Sequence, residues 1–179
     1  IVTGVQTCAL PILTPGLALF YGGLVRARNV LSTTMHSFIL LGVASIVWAV
    51  IGYTLAFGPD IGGVIGGLDF AFLNGVGMEP SESVTNIPHL LFMVFQCMFA
   101  VITPALISGA YAERIRFRAM LLFSVLWLVV VYAPMAHWVW GGGWMFGLGA
   151  LDFAGGAVVH MSSAAAALAA AHVLGRRHG

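Results

Sequence analysis

Charged residues are scarce in this sequence: they make up 7% of its 179 residues, and none of them is a lysine. An ordinary soluble domain carries about 25% charged residues, so a chain that is 60% hydrophobic cannot cover its apolar surface with these few charges. The composition also excludes a disordered chain, which requires low hydrophobicity, and a nucleic-acid-binding protein, which requires basic patches. An integral membrane protein remains.

Residue patterns for enzyme chemistry are also missing. The two cysteines, Cys8 and Cys97, have neither the spacing of metal ligands nor the pattern of a disulfide framework. The sequence contains no GxGxxG, P-loop, HExxH or CxxC motif, and no spacing pairs a nucleophile with a base. We therefore predict no cofactor and no metal, and we favour transport or channel activity over catalysis.

Apolar stretches of about 20 residues predict membrane-crossing helices. Four stretches are complete and the first of five is interrupted; together they cover residues 7–25, 30–57, 88–112, 119–139 and 154–174. Asn86 is placed to cap the third helix, with Pro88 near its first turn, where a missing N–H costs nothing. The predicted fold class is all-α: a polytopic membrane helix bundle with about five transmembrane helices.

The arginines predict the orientation of the bundle. The basic residues form three clusters, which are Arg26 and Arg28; Arg114, Arg116 and Arg118; and Arg176 and Arg177. With five crossings, the clusters follow helices one, three and five, so they fall on one side, and the positive-inside tendency makes that side cytoplasmic. We expect a multi-pass protein of the plasma or inner membrane, with the N-terminus outside and the C-terminal end of this chain inside.

The first dozen residues stand apart from the rest. They lack an initiator Met, and Gly4, Gln6 and Pro11 interrupt their apolar pattern. They also lack the basic start and the small-residue cleavage site of a signal peptide. We interpret the chain as a gene fragment in which residues 1–12 are a non-native or disordered leader and residues 13–177 are the membrane domain.

His160 is a candidate functional residue, because an ionisable side chain inside a membrane span is costly. It lies about six residues, or about 9 Å, past the start of the fifth helix. A neutral imidazole at that depth offers one hydrogen-bond donor and one acceptor, which suit a small polar molecule passing along a pore. A histidine bonded to a carbonyl of a neighbouring helix is an equally good interpretation.

Asp152 directly precedes the fifth helix. Its carboxylate is predicted to cap this helix by accepting hydrogen bonds from the free N–H groups of the first turn. The residues alone favour this structural role, and they leave open that the negative charge also holds a cation. Gln96 is expected to find a partner inside the bundle, and His137 is a weaker candidate for the wall of a vestibule.

Aromatic residues form a further candidate set. Phe92, Phe95 and Phe99 are spaced i, i+3, i+7 and fall on one face of the third helix. A second group, at the outer end of the fourth helix, consists of Trp138, Trp140 and Trp144. Most such phenylalanines pack, and most such tryptophans anchor the protein at the membrane interface. A tryptophan ring is also the best aromatic face for a small cation. The three glycines after Trp140 allow its ring to turn into an entrance instead of toward lipid.

Several segments resemble the ammonium transporter family, which comprises the Amt, Mep and Rh proteins. They are TPGLALFYGGLVR at 14–26, RNVLS at 28–32, FQCMF at 95–99, ITPALISGA at 102–110, AER at 112–114, AHWVWGGG at 136–143, GALDFAGG at 149–156 and VVH at 158–160. The resemblance covers about residues 13–177, and the first dozen residues do not fit it.

The resemblance implies a fold of eleven helices, built from two inverted five-helix repeats and a last helix, with a pore through each subunit of a homotrimer. This chain would be the first repeat, and half of the pore wall would be absent, because inverted-repeat transporters form their pathway between the two halves. The implied substrate is ammonium or ammonia. The implied partner of the full-length form is a cytoplasmic nitrogen-regulatory protein of the PII type.

The same resemblance implies roles for five residues. Phe99 and Trp140 match the aromatic residues of the vestibule that captures ammonium, and Asp152 matches the acidic residue required for conduction. Phe99 also matches one of the two stacked phenyl rings that gate the pore, with Phe95 nearby. His160 matches one of the paired pore histidines.

Two other functions compete with transport. A membrane ammonium sensor would use the same binding face to drive a signalling partner, and it is expected to carry a long cytoplasmic output domain after the last helix. An intramembrane hydrolase is disfavoured because no catalytic pair is present.

Overall fold

The computed structural model of the protein describes residues 4–81 and 84–177, with side chains from Ile12 onward. It is a helical bundle whose helices are α1 (Gly4–Gly23), α2 (Val30–Val47), α3 (Tyr53–Phe57), α4 (His89–Tyr111), α5 (Phe117–Trp127), α6 (Ala133–Val139), α7 (Trp144–Gly147) and α8 (Ser162–Leu174). Within the described residues, four helical stretches are long and apolar enough to cross a membrane: Ala27–Phe57, His89–Tyr111, Phe117–Gly147 and Gly156–Leu174. A shorter apolar stretch, Ile12–Gly23, accompanies them. The predicted four complete spans and one doubtful first span are therefore confirmed.

Single π-helical turns interrupt three of these stretches. They lie at Trp48–Gly52 between α2 and α3, at Leu128–Tyr132 between α5 and α6, and at Gly156–Met161 before α8. Each π turn inserts an extra residue into a helix without ending it, so the apolar run continues across the membrane. Trp48 and Tyr132 from the first two turns pack edge to face, with ring centroids 5.9 Å apart.

Helix α4 forms the centre of the bundle and contacts α1, α2 and α8. Ala100, Ala105 and Ile107 on this helix are fully buried. Helix α1 lies so close to α4 that a Cβ on Gly109 would be 2.6 Å from the ring of Tyr21, so only glycine fits there. The Tyr21 hydroxyl completes this contact by donating a hydrogen bond to the carbonyl of Leu106 at 2.9 Å.

The arginine clusters meet at one end of the bundle, which we call the arginine end. The carboxylate of Glu113 accepts hydrogen bonds from the Arg26 N–H at 2.9 Å, from Asn29 Nδ2 at 2.7 Å and from Arg177 Nε at 2.9 Å. The Arg114 side chain donates to the carbonyl of Gly175. The predicted convergence of the three clusters is therefore confirmed, and the cytoplasmic location of this end stays a prediction.

The opposite end of the bundle, which we call the loop end, carries a short antiparallel hairpin. Strand β1 (Asp60–Ile61) pairs with β2 (Ile65–Gly66), with Asp60 opposite Gly66. The hairpin turn uses Gly62 and Gly63 at φ of +65° and +75°, a left-handed conformation that glycine adopts without strain. Residues 67–81 and 84–88 lie over this end, before α4.

The start of α4 differs from the sequence prediction. The residue before the helix is Pro88, which makes no side-chain cap, and Asn86 does not cap it. The N–H groups of His89 and Leu90 instead donate to the carbonyls of Glu79 and Gly77, at 3.2 and 2.9 Å. Because a folded loop supplies these acceptors, the helix needs no side-chain cap.

The boundary between leader and membrane domain stays a prediction. Residues 1–3 lie outside the described residues, and α1 begins at Gly4, within the segment assigned to the leader.

Candidate functional site

A groove of about 850 Å³ opens at the loop end. Helix α4 forms one wall, the end of α6 forms the second, and residues 146–153 form the rim. The residues that line it include Phe92, Phe95, Gln96, Phe99, Trp140 and Asp152. The structure therefore brings four of the five predicted site residues, Phe95, Phe99, Trp140 and Asp152, to one cavity.

Three aromatic rings contact one another in series along the wall of the groove. The ring centroids of Phe95 and Phe99 are 5.1 Å apart at an interplanar angle of 89°, as expected for residues one helical turn apart. Phe99 in turn lies 5.6 Å from Trp140, across the junction between α4 and α6. A small cation within about 6 Å of such ring faces is attracted by their quadrupoles.

Trp140 is held by a turn that only glycine can form. It ends α6, and its indole Nε1 donates to the carbonyl of Asp152 at 2.8 Å, which fixes the orientation of the ring. A Cβ on Gly141 would lie 2.0 Å from the carbonyl oxygen of Ala56, and Gly142 has a φ of +88°. The ring therefore lines the groove, as the glycine run after Trp140 allowed.

Asp152 caps the last transmembrane helix, as predicted. Its Oδ1 accepts hydrogen bonds from the N–H groups of Gly155 and Gly156 at 2.7 Å each, and its Oδ2 accepts from Ala157 at 2.8 Å and Val158 at 3.0 Å. Desolvation raises the pKa of the carboxyl, but the four backbone donors outweigh it and the net pKa is lowered. The group is therefore an anion at neutral pH.

The four backbone donors also limit what Asp152 can bind. A carboxylate offers about four lone-pair sites, and here all of them are used. The negative charge of Asp152 can attract a cation in the groove at long range. Direct coordination of a cation by its carboxylate oxygens requires the loss of one of the backbone hydrogen bonds.

His160 is not in the groove. It lies in the π turn Gly156–Met161, its side chain is exposed, and its ring makes no hydrogen bond to any residue that the structure describes. The exposed face continues with Met161 and Leu168, which are 67% and 74% exposed. The interpretation of His160 as bonded to a neighbouring helix carbonyl is therefore wrong within the described chain.

Gln96 lines the groove, although no role in the site was predicted for it. It is 7% exposed, and its Oε1 has no hydrogen-bond partner among the described residues, so the expected partner in the bundle is missing. Its position between Phe95 and Phe99 on a predicted helix was the only signal that placed it near the site.

Known proteins resemble nearly all of this chain. A sequence model described as the Ammonium Transporter Family matches residues 3–179. An ammonium transporter of Bacillus subtilis is 62% identical over 172 residues, covering 95% of this chain and 42% of the relative. Ammonium transporter Amt1 of Archaeoglobus fulgidus is 48% identical over 174 residues, covering 97% of this chain and 42% of the relative. The chain thus spans less than half the length of these relatives.

Solved structures share the fold. Mep2 of Candida albicans matches with a TM-score of 0.89 at 41% identity, covering 98% of this chain and 38% of that protein. A structure named Sensor Amt Protein matches with a TM-score of 0.89 at 28% identity, covering 97% of this chain and 43% of that protein.

Proposed function

This chain belongs to the ammonium transporter family, and from that membership we propose that the complete protein carries ammonium or ammonia across a membrane. The observation that supports this function most directly is the groove at the loop end, where Phe99 and Trp140 lie 5.6 Å apart beside the anionic Asp152. The named relatives are ammonium transporters, which supports transport over catalysis as the function.

We propose that capture occurs on the ring faces of Phe99 and Trp140. A cation–π contact contributes about 0.5–1 kcal/mol at an exposed site and about 2 kcal/mol when it is desolvated. Asp152 adds a long-range attraction for any cation that enters the groove. None of these groups distinguishes ammonium from potassium, so selectivity must arise deeper in the pathway.

Selectivity follows from the cost of moving a charge through an apolar bore. Phe95 and Phe99 close the inner side of the groove, and beyond them a bare cation would pay several kcal/mol of desolvation. Ammonium can leave its proton behind and cross as neutral ammonia, whereas potassium cannot. His160 then offers a donor and an acceptor to the neutral molecule or relays its proton.

The exposed face of α8 is consistent with a pore that the described residues line on one side only. We propose that the rest of the protein, a second repeat of inverted topology in an eleven-helix fold, covers His160 and completes the pathway. The complete protein is then a homotrimer of the plasma or inner membrane, with the arginine end cytoplasmic and available to a PII-type regulatory protein.

A sensor is the second candidate function. The match to the structure named Sensor Amt Protein, at 28% identity over 97% of this chain, is the observation that favours it. A sensor would bind ammonium in the same groove and pass the signal to a partner.

Uptake of radiolabelled methylammonium by cells that express the complete gene tests both functions. Saturable uptake that ammonium inhibits supports a transporter. Ammonium binding by the purified protein without uptake favours the sensor, and the absence of both binding and uptake contradicts the proposal.

A further inference from the structure

His137 has an unusual pair of hydrogen-bond partners. It lies in the last turn of α6, and its side chain is completely buried. Its Nδ1 is 2.9 Å from the carbonyl oxygen of Ala56, and its Nε2 is 2.8 Å from Oδ1 of Asp60. Both ring nitrogens therefore face oxygen atoms.

Neither partner can donate a proton to the ring. A backbone carbonyl only accepts, and both carboxylate oxygens of Asp60 already accept from the N–H of Gly63, at 2.9 and 3.0 Å. A neutral imidazole has one N–H, so it can satisfy only one of two acceptors, whereas an imidazolium satisfies both. Only the charged ring can donate to both oxygen atoms.

The surroundings of His137 compensate for the buried charge. Asp60 on β1 supplies a carboxylate that is 44% exposed to solvent. Ala56 lies in the last turn of α3, where the unpaired helix carbonyls carry partial negative charge and favour a cation. The 141–143 turn, which is the third element packed on the ring, contributes only glycines.

This ion pair lies at the base of the turn that holds Trp140. The carbonyl of His137 accepts hydrogen bonds from the N–H groups of Gly141 and Gly143 at 3.0 and 2.9 Å. The hairpin is tied to the same helix end, because Trp138 Nε1 donates to the carbonyl of Val64 at 2.7 Å. Hairpin, helix end and turn thus form one unit, and the His137–Asp60 pair joins its parts.

We propose that His137 is a doubly protonated positioning residue, and that its ion pair with Asp60 holds Trp140 in the orientation used for substrate capture. Loss of the second ring proton removes the bond to Ala56, because a neutral ring keeps its one proton on Nε2, toward the stronger acceptor Asp60, and leaves a lone pair on Nδ1 facing the carbonyl oxygen of Ala56. The end of α6 then loosens from α3, and its contact with the hairpin loses the attraction between opposite charges, so capture weakens as pH rises. The positioning role is tested by uptake and so rests on the proposed function, whereas the protonation state of His137 can be tested without it.

Nitrogen-15 NMR of the complete protein, labelled in histidine, tests the protonation state without reference to transport. The His137 signals are assigned by their loss in His137→Gln. We expect both ring nitrogens to carry protons at pH 7, and Asp60→Asn, which keeps an acceptor oxygen but removes the charge, should lose the second proton at lower pH than the native protein. A singly protonated ring at pH 7 would overturn the proposal.

Methylammonium uptake tests the positioning role. We expect His137→Gln to raise KM about two- to fivefold, as for the partial loss of one cation–π contact, with little change in maximal rate and with no further rise at alkaline pH. His172→Gln, the same substitution at an exposed position in the last turn of α8, serves as the control and should leave KM unchanged. Rates are expressed per methylammonium cation, so that titration of the substrate does not enter.

Three outcomes distinguish the alternatives. A native alkaline rise in KM that persists unchanged in His137→Gln overturns the positioning role. If His137→Gln does not fold, Asp60→Asn must shift the alkaline rise to lower pH, and an unshifted profile also overturns it. If the native protein shows no uptake, the proposed function fails, while the NMR result still decides the charge of His137.

Discussion

Replacing Trp140 by leucine tests the capture site directly. The substitution removes the ring face that lies 5.6 Å from Phe99, and it removes the indole N–H that donates to the carbonyl of Asp152 at 2.8 Å. The apolar volume at the end of α6 is partly kept. The substitution should therefore weaken cation binding more than it lowers the stability of the fold.

The magnitude follows from the position of the ring. Trp140 is partly buried at the groove wall, between the exposed and the desolvated limits of a cation–π contact, which gives about 1–2 kcal/mol. Since 1.4 kcal/mol corresponds to about tenfold in affinity, KM for methylammonium should rise about five- to thirtyfold. The lost hydrogen bond should lower the free energy of unfolding by about 1 kcal/mol.

Uptake by the complete protein at low and at saturating methylammonium separates the effect on KM from the effect on the amount of folded protein. Trp144→Leu is the control, because Trp144 is a 48% exposed tryptophan at the same end of the bundle and does not line the groove. An unchanged KM in Trp140→Leu, or an equal rise in both variants, would refute the assignment of Trp140 to capture.

The other predictions concern the pore, the helix cap and the arginine end. For His160→Ala we expect ammonium conduction to fall or to lose selectivity; equal flux without potassium leak in reconstituted vesicles would count against a pore role. For Asp152→Asn, which has a single acceptor oxygen for four N–H groups, we expect a loss of about 1–3 kcal/mol of stability together with weaker uptake, and a thermal melt equal to that of the native protein would contradict it. Hydrogen bonds, first from Asn29 and then from the Arg26 N–H and from Arg177, lower the pKa of Glu113 from 4.5 to about 2. The stabilisation that the Glu113 carboxylate provides is therefore complete above pH 4.5 and is lost as the pH falls to about 2. Glu113→Gln should therefore flatten the dependence of melting temperature on pH in this window, and parallel curves for the two proteins would exclude that role.

The helices could be predicted because a membrane imposes one simple requirement on sequence. Every backbone group in lipid must be paired within the segment, so a run of about 20 apolar residues is enough to indicate a helix. The same rule hides the π turns at Trp48–Gly52 and Leu128–Tyr132, since an inserted residue does not change the apolar composition of the run.

The site was predictable only where its residues are close in the chain. Asp152 and the N–H groups it binds are three to six residues apart, so its capping role could be derived from spacing alone. His137 and Asp60 are 77 residues apart and meet through a hairpin that no periodicity indicated. The depth of His160 in the membrane could be predicted from its position in the helix, but the direction in which its side chain faces could not, because that depends on which helices pack against α8.

The saturated carboxylate of Asp152 has a kinetic consequence. A carboxylate with free oxygen lone pairs at the entrance of a pathway would coordinate each arriving cation and slow its dissociation. In the proposed capture site, the negative charge of Asp152 attracts cations while its oxygens stay bonded to the backbone. We therefore expect short residence at the entrance and an occupancy that follows the outside concentration quickly. Such weak, short-lived binding at the entrance suits a transport pathway whose rate depends on how quickly each cation leaves the entrance.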